Sequence, residues 1–365
     1  MGKTRLVDEE YVVLTMHDMK RRIKKICEAC IKSGKIETIE IIGPPGVGKS
    51  KIVGALATEL GMPEIDVRFG HFADSSEMVM KVLNLNHDAI NEIVLARFPK
   101  VPNCLLRMDE FRHANDDVRK GTYQLLEDKC LGPYTVPAGT VMIGISNGSE
   151  DVPLEDLDNG LRDRFKFRVK VVPDFKDWCE YISAKEYPQG ATIMAFLKYN
   201  QDLFFYKTSE GHILLTPRRW ESIIQEAGDM ELVEMMVHPA CFIVLNQFVK
   251  KVDMFRNVKK FVSGELKVPD DIGDQWAIYA AIMSDLTVDV KYEDKCFEVF
   301  EEKMRGMDAD IQCNTQLDVI RYYLTKKKVS LSDVLIKLPA PKKAILGAVV
   351  KKYQFAASGL VQTST

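Results

Sequence analysis

Apolar residues recur at three- and four-residue spacing through Met19, Ile23, Ile26, Cys27, Cys30 and Ile31, with Thr15 ahead of them and Gly34 behind. That spacing predicts an amphipathic helix over 15–33, capped by Thr15 and stopped by Gly34. The period then changes. Thr38–Ile42 reads TIEII, a β-branched run suited to a strand, and it leads directly into GPPGVGKS and a second helical pattern, KIVGALATEL, closed by Gly61 and Pro63. Further strand candidates are Ile65–Phe69, Cys104–Met108, Thr140–Ile145 and Phe167–Val172, separated mostly by helical patterns, notably Asp117–Leu131. Strands alternating with helices predict an α/β fold, a parallel sheet with helices on both faces. After Pro173 the pattern becomes mostly helical to about Phe355, with breaks at Pro188–Gly190, Gly211, Pro239, Gly264–Pro269 and Pro339–Pro341. The expected division is an α/β domain over 1–172, a helical region over 173–355 and a tail over 356–365.

Composition narrows the class. A chain of 365 residues is long for one domain, and 46% hydrophobic with 28% charged residues excludes a disordered or fibrous protein. A net charge of −3 gives no general argument for nucleic acid or membrane as partner. No apolar run approaches the roughly 18 residues of a membrane span, and the first residues lack the apolar core of a secretory signal. The expectation is a soluble, cytoplasmic protein. Its eight cysteines are scattered, and the Cys27/Cys30 pair falls on the apolar face of the first helix, so we read these two as half-buried thiols, not redox or zinc chemistry.

The strongest chemical signal is Gly43-Pro44-Pro45-Gly46-Val47-Gly48-Lys49-Ser50, a G-x-x-x-x-G-K-[ST] loop in the required setting of strand before and helix after. Glycines allow successive backbone N–H groups, through Lys51, to curl around phosphates at the positive end of the following helix. Lys49 is the candidate to neutralise the β- and γ-phosphates, and the Ser50 hydroxyl to ligate Mg²⁺. The next feature is Leu105-Leu106-Arg107-Met108-Asp109-Glu110, an apolar strand that delivers two carboxylates at its C-terminal end, where ligands of parallel sheets collect. Asp109 is placed to hold Mg²⁺ and Glu110 to activate the attacking water, which predicts hydrolysis as well as binding. Arg107 is irregular, because a charge inside a buried strand needs a carboxylate or an edge.

With these motifs in this order the chain resembles the AAA+ ATPases, in particular the MoxR-like branch, over residues 15–240. The resemblance implies ATP and Mg²⁺ as cofactors and a ring of identical subunits, usually six. It implies that Asn147, at the end of the TVMIGI strand, is the sensor 1 residue. In Asp158-Asn-Gly-Leu161-Arg162-Asp163-Arg164-Phe165 it puts Arg164 at the arginine-finger position, with Arg162 a second candidate. In Leu215-Thr216-Pro217-Arg218 it makes Arg218 the sensor 2 contact of a helical lid. Residues 84–101 match the place of a hairpin inserted in the second helix, and 131–140 a hairpin before sensor 1; such inserts face the pore or the partner. Members of this branch remodel a specific protein, often one with a von Willebrand factor A domain, and a protein client is expected here.

Residues 321–353 carry a net charge of +8 and residues 285–318 a net charge of −6. We read them as solvated helical faces that partly neutralise each other. The competing function is a nucleic-acid-dependent AAA+ ATPase, such as a helicase loader or restriction-type translocase, using that basic stretch. No basic groove interleaved with aromatics supports it, so nucleic acid is not expected as partner.

Overall fold

The computed structural model describes residues 11–288, apart from 84–88, 96, 149–158, 186, 210, 257–259, 261–262, 264 and 266–269. Asp158, the basic 321–353 stretch, the acidic stretch beyond 288, the 356–365 tail and the Pro339–Pro341 break lie outside the described residues.

The first strands and helices follow the hydrophobic pattern closely. A short strand, β1 (Val12–Leu14), precedes α1 (Met16–Ser33). In α1 the Thr15 side chain accepts from the Asp18 N–H, and Gly34 closes the helix in the left-handed conformation. Then come β2 (Glu37–Gly43), α2 (Lys49–Leu60), β3 (Glu64–Arg68), and a hairpin of β4 (Val79–Leu83) with β5 (Ile90–Val94). β6 (Leu105–Asp109) is followed by α3 (Asp116–Gly121), α4 (Tyr123–Glu127) and the small hairpin of β7 (Cys130–Leu131) with β8 (Tyr134–Thr135). The single helix expected over 117–131 is therefore two helices and the start of a strand. Lys129, at φ 58°, turns the chain out of the helix before β7. β9 (Val141–Asn147), α5 (Asn159–Arg164) and β10 (Phe167–Val171) complete this part.

Beyond it run α6 (Phe175–Ser183), α7 (Gly190–Tyr199), the hairpin of β11 (Tyr206–Lys207) with β12 (Ile213–Leu215), α8 (Pro217–Glu226), α9 (Met230–Met236), α10 (Pro239–Phe255) and α11 (Ile272–Val288). The chain forms two compact units. One comprises residues up to 186 together with Gln201–His238, and so includes α6, α8 and α9. The other comprises Tyr187–Asn200 and the residues from Pro239 onward. In this second unit Phe196 of α7 meets Phe248 of α10 edge-on at 5.6 Å, and the Trp276–Ile278 stretch of α11 is buried.

In the first unit six parallel strands take the order β1-β10-β2-β9-β6-β3. The central strands β2 and β9 are buried almost throughout, as a sheet covered on both faces requires. On one face Ile39, Ile41, Leu105, Val141, Ile143 and Val171 pack under α1 and α2, where Cys27 and Cys30 are buried too. Burial pushes the Cys27 thiol up to about 12, with Cys30 adding to it, so it is an inert core residue. On the other face Leu106, Met108 and Met142 pack with Phe111, Leu125 and Phe165. Gly43 pairs with Asn147, and Asp109 with Ile145, so the phosphate loop, the acidic pair and Asn147 leave the sheet along one edge.

Candidate functional site

The loop between β2 and α2 turns sharply because Gly46 and Gly48 stand at φ 75° and 99°, conformations that side chains disfavour. Lys49 opens α2 and is 5% exposed. Its ammonium donates to the carbonyls of Gly43 at 2.8 Å and Pro44 at 2.9 Å, and to Asn147 Oδ1 at 2.8 Å. Burial pushes the ammonium down to about 7; Asp109 opposes that shift and Arg218 adds to it. Val47 is buried beneath the loop. The Lys51 side chain leaves the loop altogether, donating to Glu221 at 3.1 Å and to the Tyr181 hydroxyl at 2.5 Å. These contacts tie α2 to α6 and α8.

Beside the loop, Ser50 Oγ donates to Asp109 Oδ2 at 3.1 Å. A hydroxyl and a carboxylate in contact are hard oxygen donors of the kind Mg²⁺ takes, together with phosphate oxygens and water. Among the described residues no group of three or more His, Cys, Asp or Glu is placed to hold a metal. Glu110 follows at φ 57°, a left-handed residue that turns the chain away from the strand and leaves the carboxylate partly exposed. Its Oε2 lies 3.8 Å from His71 Nε2, and Gly70 passes so close that a Cβ there would stand 3.0 Å from Oε2.

Arg107 finds carboxylates. Its Nη2 lies 2.7 Å from Asp66, its register partner on β3; Nη1 meets Glu64 and donates to the Ser50 carbonyl at 3.2 Å; Nε lies 3.9 Å from Asp109. Glu64 and Asp66 went unnoticed in the sequence, and only the strand register brings them to Arg107. The charge on an inward strand position was the visible signal.

Arg218 enters through its backbone: its N–H donates to the Gly46 carbonyl at 3.0 Å, and a Cβ on Gly46 would strike Thr216 Oγ1 at 2.6 Å. The first residues of α8 therefore rest on the phosphate loop. Gly46→Ala is expected to lower the melting temperature, costing about 1–3 kcal/mol through the left-handed backbone and the Thr216 clash. Differential scanning calorimetry checks this, and an unchanged melting temperature would contradict the contact. Arg164 lies over the Tyr123 ring at 4.3 Å, donates to the Gly160 carbonyl at 2.6 Å and pairs with Glu127. Arg162 instead lines an open cleft of about 430 Å³ with Asn159, Asp163, Lys166 and Arg168. The structure thus brings Lys49, Ser50, Asp109, Asn147 and Arg218 around the loop, with Glu110 adjoining, and places Arg162 and Arg164 apart from them on α5.

Residues 39–172 match the family model described as ATPase family associated with various cellular activities (AAA). This segment has the AAA fold. The match begins in β2 and ends just past β10, so it takes in the AAA phosphate loop, the acidic strand and Asn147. Among solved structures, a variant of RuvB from Thermotoga maritima is 15% identical, with 93% of this chain and 82% of that one covered and a TM-score of 0.37. The same organism's RuvB Holliday junction branch migration motor is 15% identical over 96% of this chain and 85% of that one, TM-score 0.36. NtrX from Brucella abortus is 15% identical over 57% of this chain and 50% of that one, TM-score 0.35. No curated protein matches the chain. No helix among the described residues is long and apolar enough to cross a membrane.

Proposed function

We propose that the chain is an ATP hydrolase of the MoxR-like kind that works as a ring of identical subunits, a hexamer, to remodel a partner protein. The observation that carries this reading is the convergence at one sheet edge: Lys49 holds Asn147, Ser50 holds Asp109, and Glu110 follows immediately. The loop backbone from Gly43 to Lys51, with Pro44, Pro45 and Val47 shaping it, cradles the phosphates. Lys49 gives up its bonds to the loop carbonyls for phosphate oxygens, which satisfy its charge better. Ser50 and Asp109 would hold Mg²⁺, which would supply positive charge to the phosphate oxygens. Glu110 takes the proton of the attacking water, Asn147 orients that water, and Arg218 carries the presence of the γ-phosphate into α8. Arg164 serves a neighbouring subunit after releasing Glu127; Arg162, already on the open cleft, is its competitor for that role. α8, which carries Arg218, meets the phosphate loop at Gly46 and would face the nucleotide from there.

A protein client fits the β4–β5 hairpin, where the resemblance puts an insert. Met80, Leu83, Ile90 and Ile93 are all more than half exposed there, an apolar surface suited to a protein, including one with a von Willebrand factor A domain.

The experiment mixes two inactive proteins, Glu110→Gln and Arg164→Ala. If the site is shared between subunits, a one-to-one mixture regains about a quarter of the wild-type rate, because the Glu110→Gln subunit still lends its arginine. The same mixture made with Arg162→Ala separates the two arginines. Failure of both mixtures to recover would refute the shared site.

A further inference from the structure

Glu40 sits in the middle of β2, on the face opposite Ile39 and Ile41, and is 1% exposed. A carboxylate inside a central strand persists only if it is paired and hydrogen-bonded. Its partners come from three other parts of the chain. Arg112, in the turn after Glu110, donates Nε to Oε1 at 2.7 Å; Arg168 of β10 donates Nε to Oε2 at 3.2 Å; and the Tyr11 hydroxyl donates to Oε2 at 3.0 Å. Both guanidiniums also donate to the Tyr11 hydroxyl, Arg168 at 2.5 Å, and Arg168 lies over the Tyr11 ring at 4.3 Å. Burial, reinforced by Glu40, pushes that phenol up to about 12, so Tyr11 stays a neutral hydroxyl donor across the working pH range.

Arg112 is the member that bears on the chemistry. Its backbone N–H donates to Ser146 Oγ at 3.0 Å, and Ser146 is the residue before Asn147. Its carbonyl accepts from Arg119 Nη1 at 3.1 Å. Between Arg112 and Asp109 the chain passes through the left-handed Glu110 and the fully buried Phe111, whose ring meets Phe69 at 5.8 Å and Phe165 at 5.3 Å. A left-handed non-glycine is strained and lasts only where its surroundings fix it. Here β6 fixes one side of Glu110, and the other side is held by a guanidinium locked into the sheet.

We propose that Arg112, clamped by Glu40, is a positioning residue: it holds the turn that aims Glu110 and, through Ser146, the strand end that carries Asn147. The role rests on the ATPase reading above, since aiming matters only if Glu110 acts on water. Through Arg168 the same clamp reaches β10, which follows Arg162 and Arg164 directly, so one polar cluster joins a subunit's own acid to the root of the segment it offers its neighbour.

The test compares Glu40→Gln, Arg112→Lys and Ser146→Ala with the wild-type full-length protein by amide hydrogen exchange over 110–113 without nucleotide, by ATP affinity and by kcat. The proposal expects exchange there to speed up about tenfold or more and kcat to fall about tenfold or more, with ATP affinity within about threefold of wild type. A folded variant with a lowered melting temperature but wild-type turnover, or with unchanged exchange over 110–113, would overturn it. If Glu40→Gln does not fold, as loss of a buried charge partner allows, Ser146→Ala and Arg112→Lys decide the matter alone. A wild-type protein without turnover sinks the ATPase reading, while the exchange comparison still decides whether Arg112 holds the turn.

Discussion

Glu110→Gln should bind ATP as tightly as the wild type and turn it over about 100-fold or more slowly, the usual loss when a general base is removed. The amide keeps the size of the carboxylate, and Glu110 is partly exposed, so neither packing nor the loop is disturbed. The loop contacts of Lys49 and the Ser50–Asp109 pair do not involve the Glu110 side chain, which is why affinity should survive. Asp109→Asn gives the contrasting result. It removes the charge that the Ser50 hydroxyl and Arg107 share, so dependence on Mg²⁺ concentration should shift to higher values as turnover falls. Steady-state phosphate release and Mg²⁺ titration of nucleotide binding distinguish the two. Equal turnover by wild type and Glu110→Gln would remove Glu110 from the mechanism.

The parts of this molecule that the sequence discloses are those whose signals are local. The helix over Met16–Ser33 announces itself by Thr15, Gly34 and its apolar stripe, and the phosphate loop by residue types whose spacing is set by a single turn. β1 is different. Its three residues show no usable periodicity and become a strand only because Val12 and Leu14 pair with Val169 and Val171, more than 150 positions away. The same holds in the site. That Arg107 needs a carboxylate is legible from its place in an apolar strand; that Asp66 supplies it depends on the register of β3 against β6. Glu40 gave the same kind of signal within TIEII, and its partner Arg112 stood in plain view two residues past the acidic pair. Nothing in the spacing joins them, since only the pairing of β2 with β9 and β10 draws the two together. Charges at inward positions of central strands were the readable half of each interaction, and the folded sheet supplied the other half.

The affinity for ATP should fall as pH rises above neutrality, and the cause lies in Lys49. In the nucleotide-free protein its ammonium is buried and held down to about 7, so above that pH a growing share of the molecules carries a neutral amine. A triphosphate beside it favours the ammonium and raises the pKa again, so binding at pH 8 takes up nearly one proton. By linkage, affinity then weakens by close to tenfold per pH unit above about 7 and levels off below it. Calorimetric titration at pH 8 in buffers of different ionisation enthalpy should detect the uptake. The same experiment at pH 6 should find almost none. Folding stability carries the matching sign. An unfolded chain binds a proton at Lys49 up to pH 10.5, whereas the folded chain releases it near 7. Lys49 therefore costs the folded state most below about 7, and that cost shrinks as pH rises toward 10.5. Tyr11 and Cys27, both pushed up to about 12, act in the opposite sense over the alkaline range, so the comparison must be made against Lys49→Met. That variant should lose at least about 100-fold in ATP affinity at pH 7 and yet melt no lower than the wild type, because a thioether needs none of the loop carbonyls. Buffer-independent binding heats at pH 8 would mean that the ammonium stays charged in the empty loop, and the resting geometry around Gly43, Pro44 and Asn147 would then have to be an ordinary lysine clamp with no proton to gain.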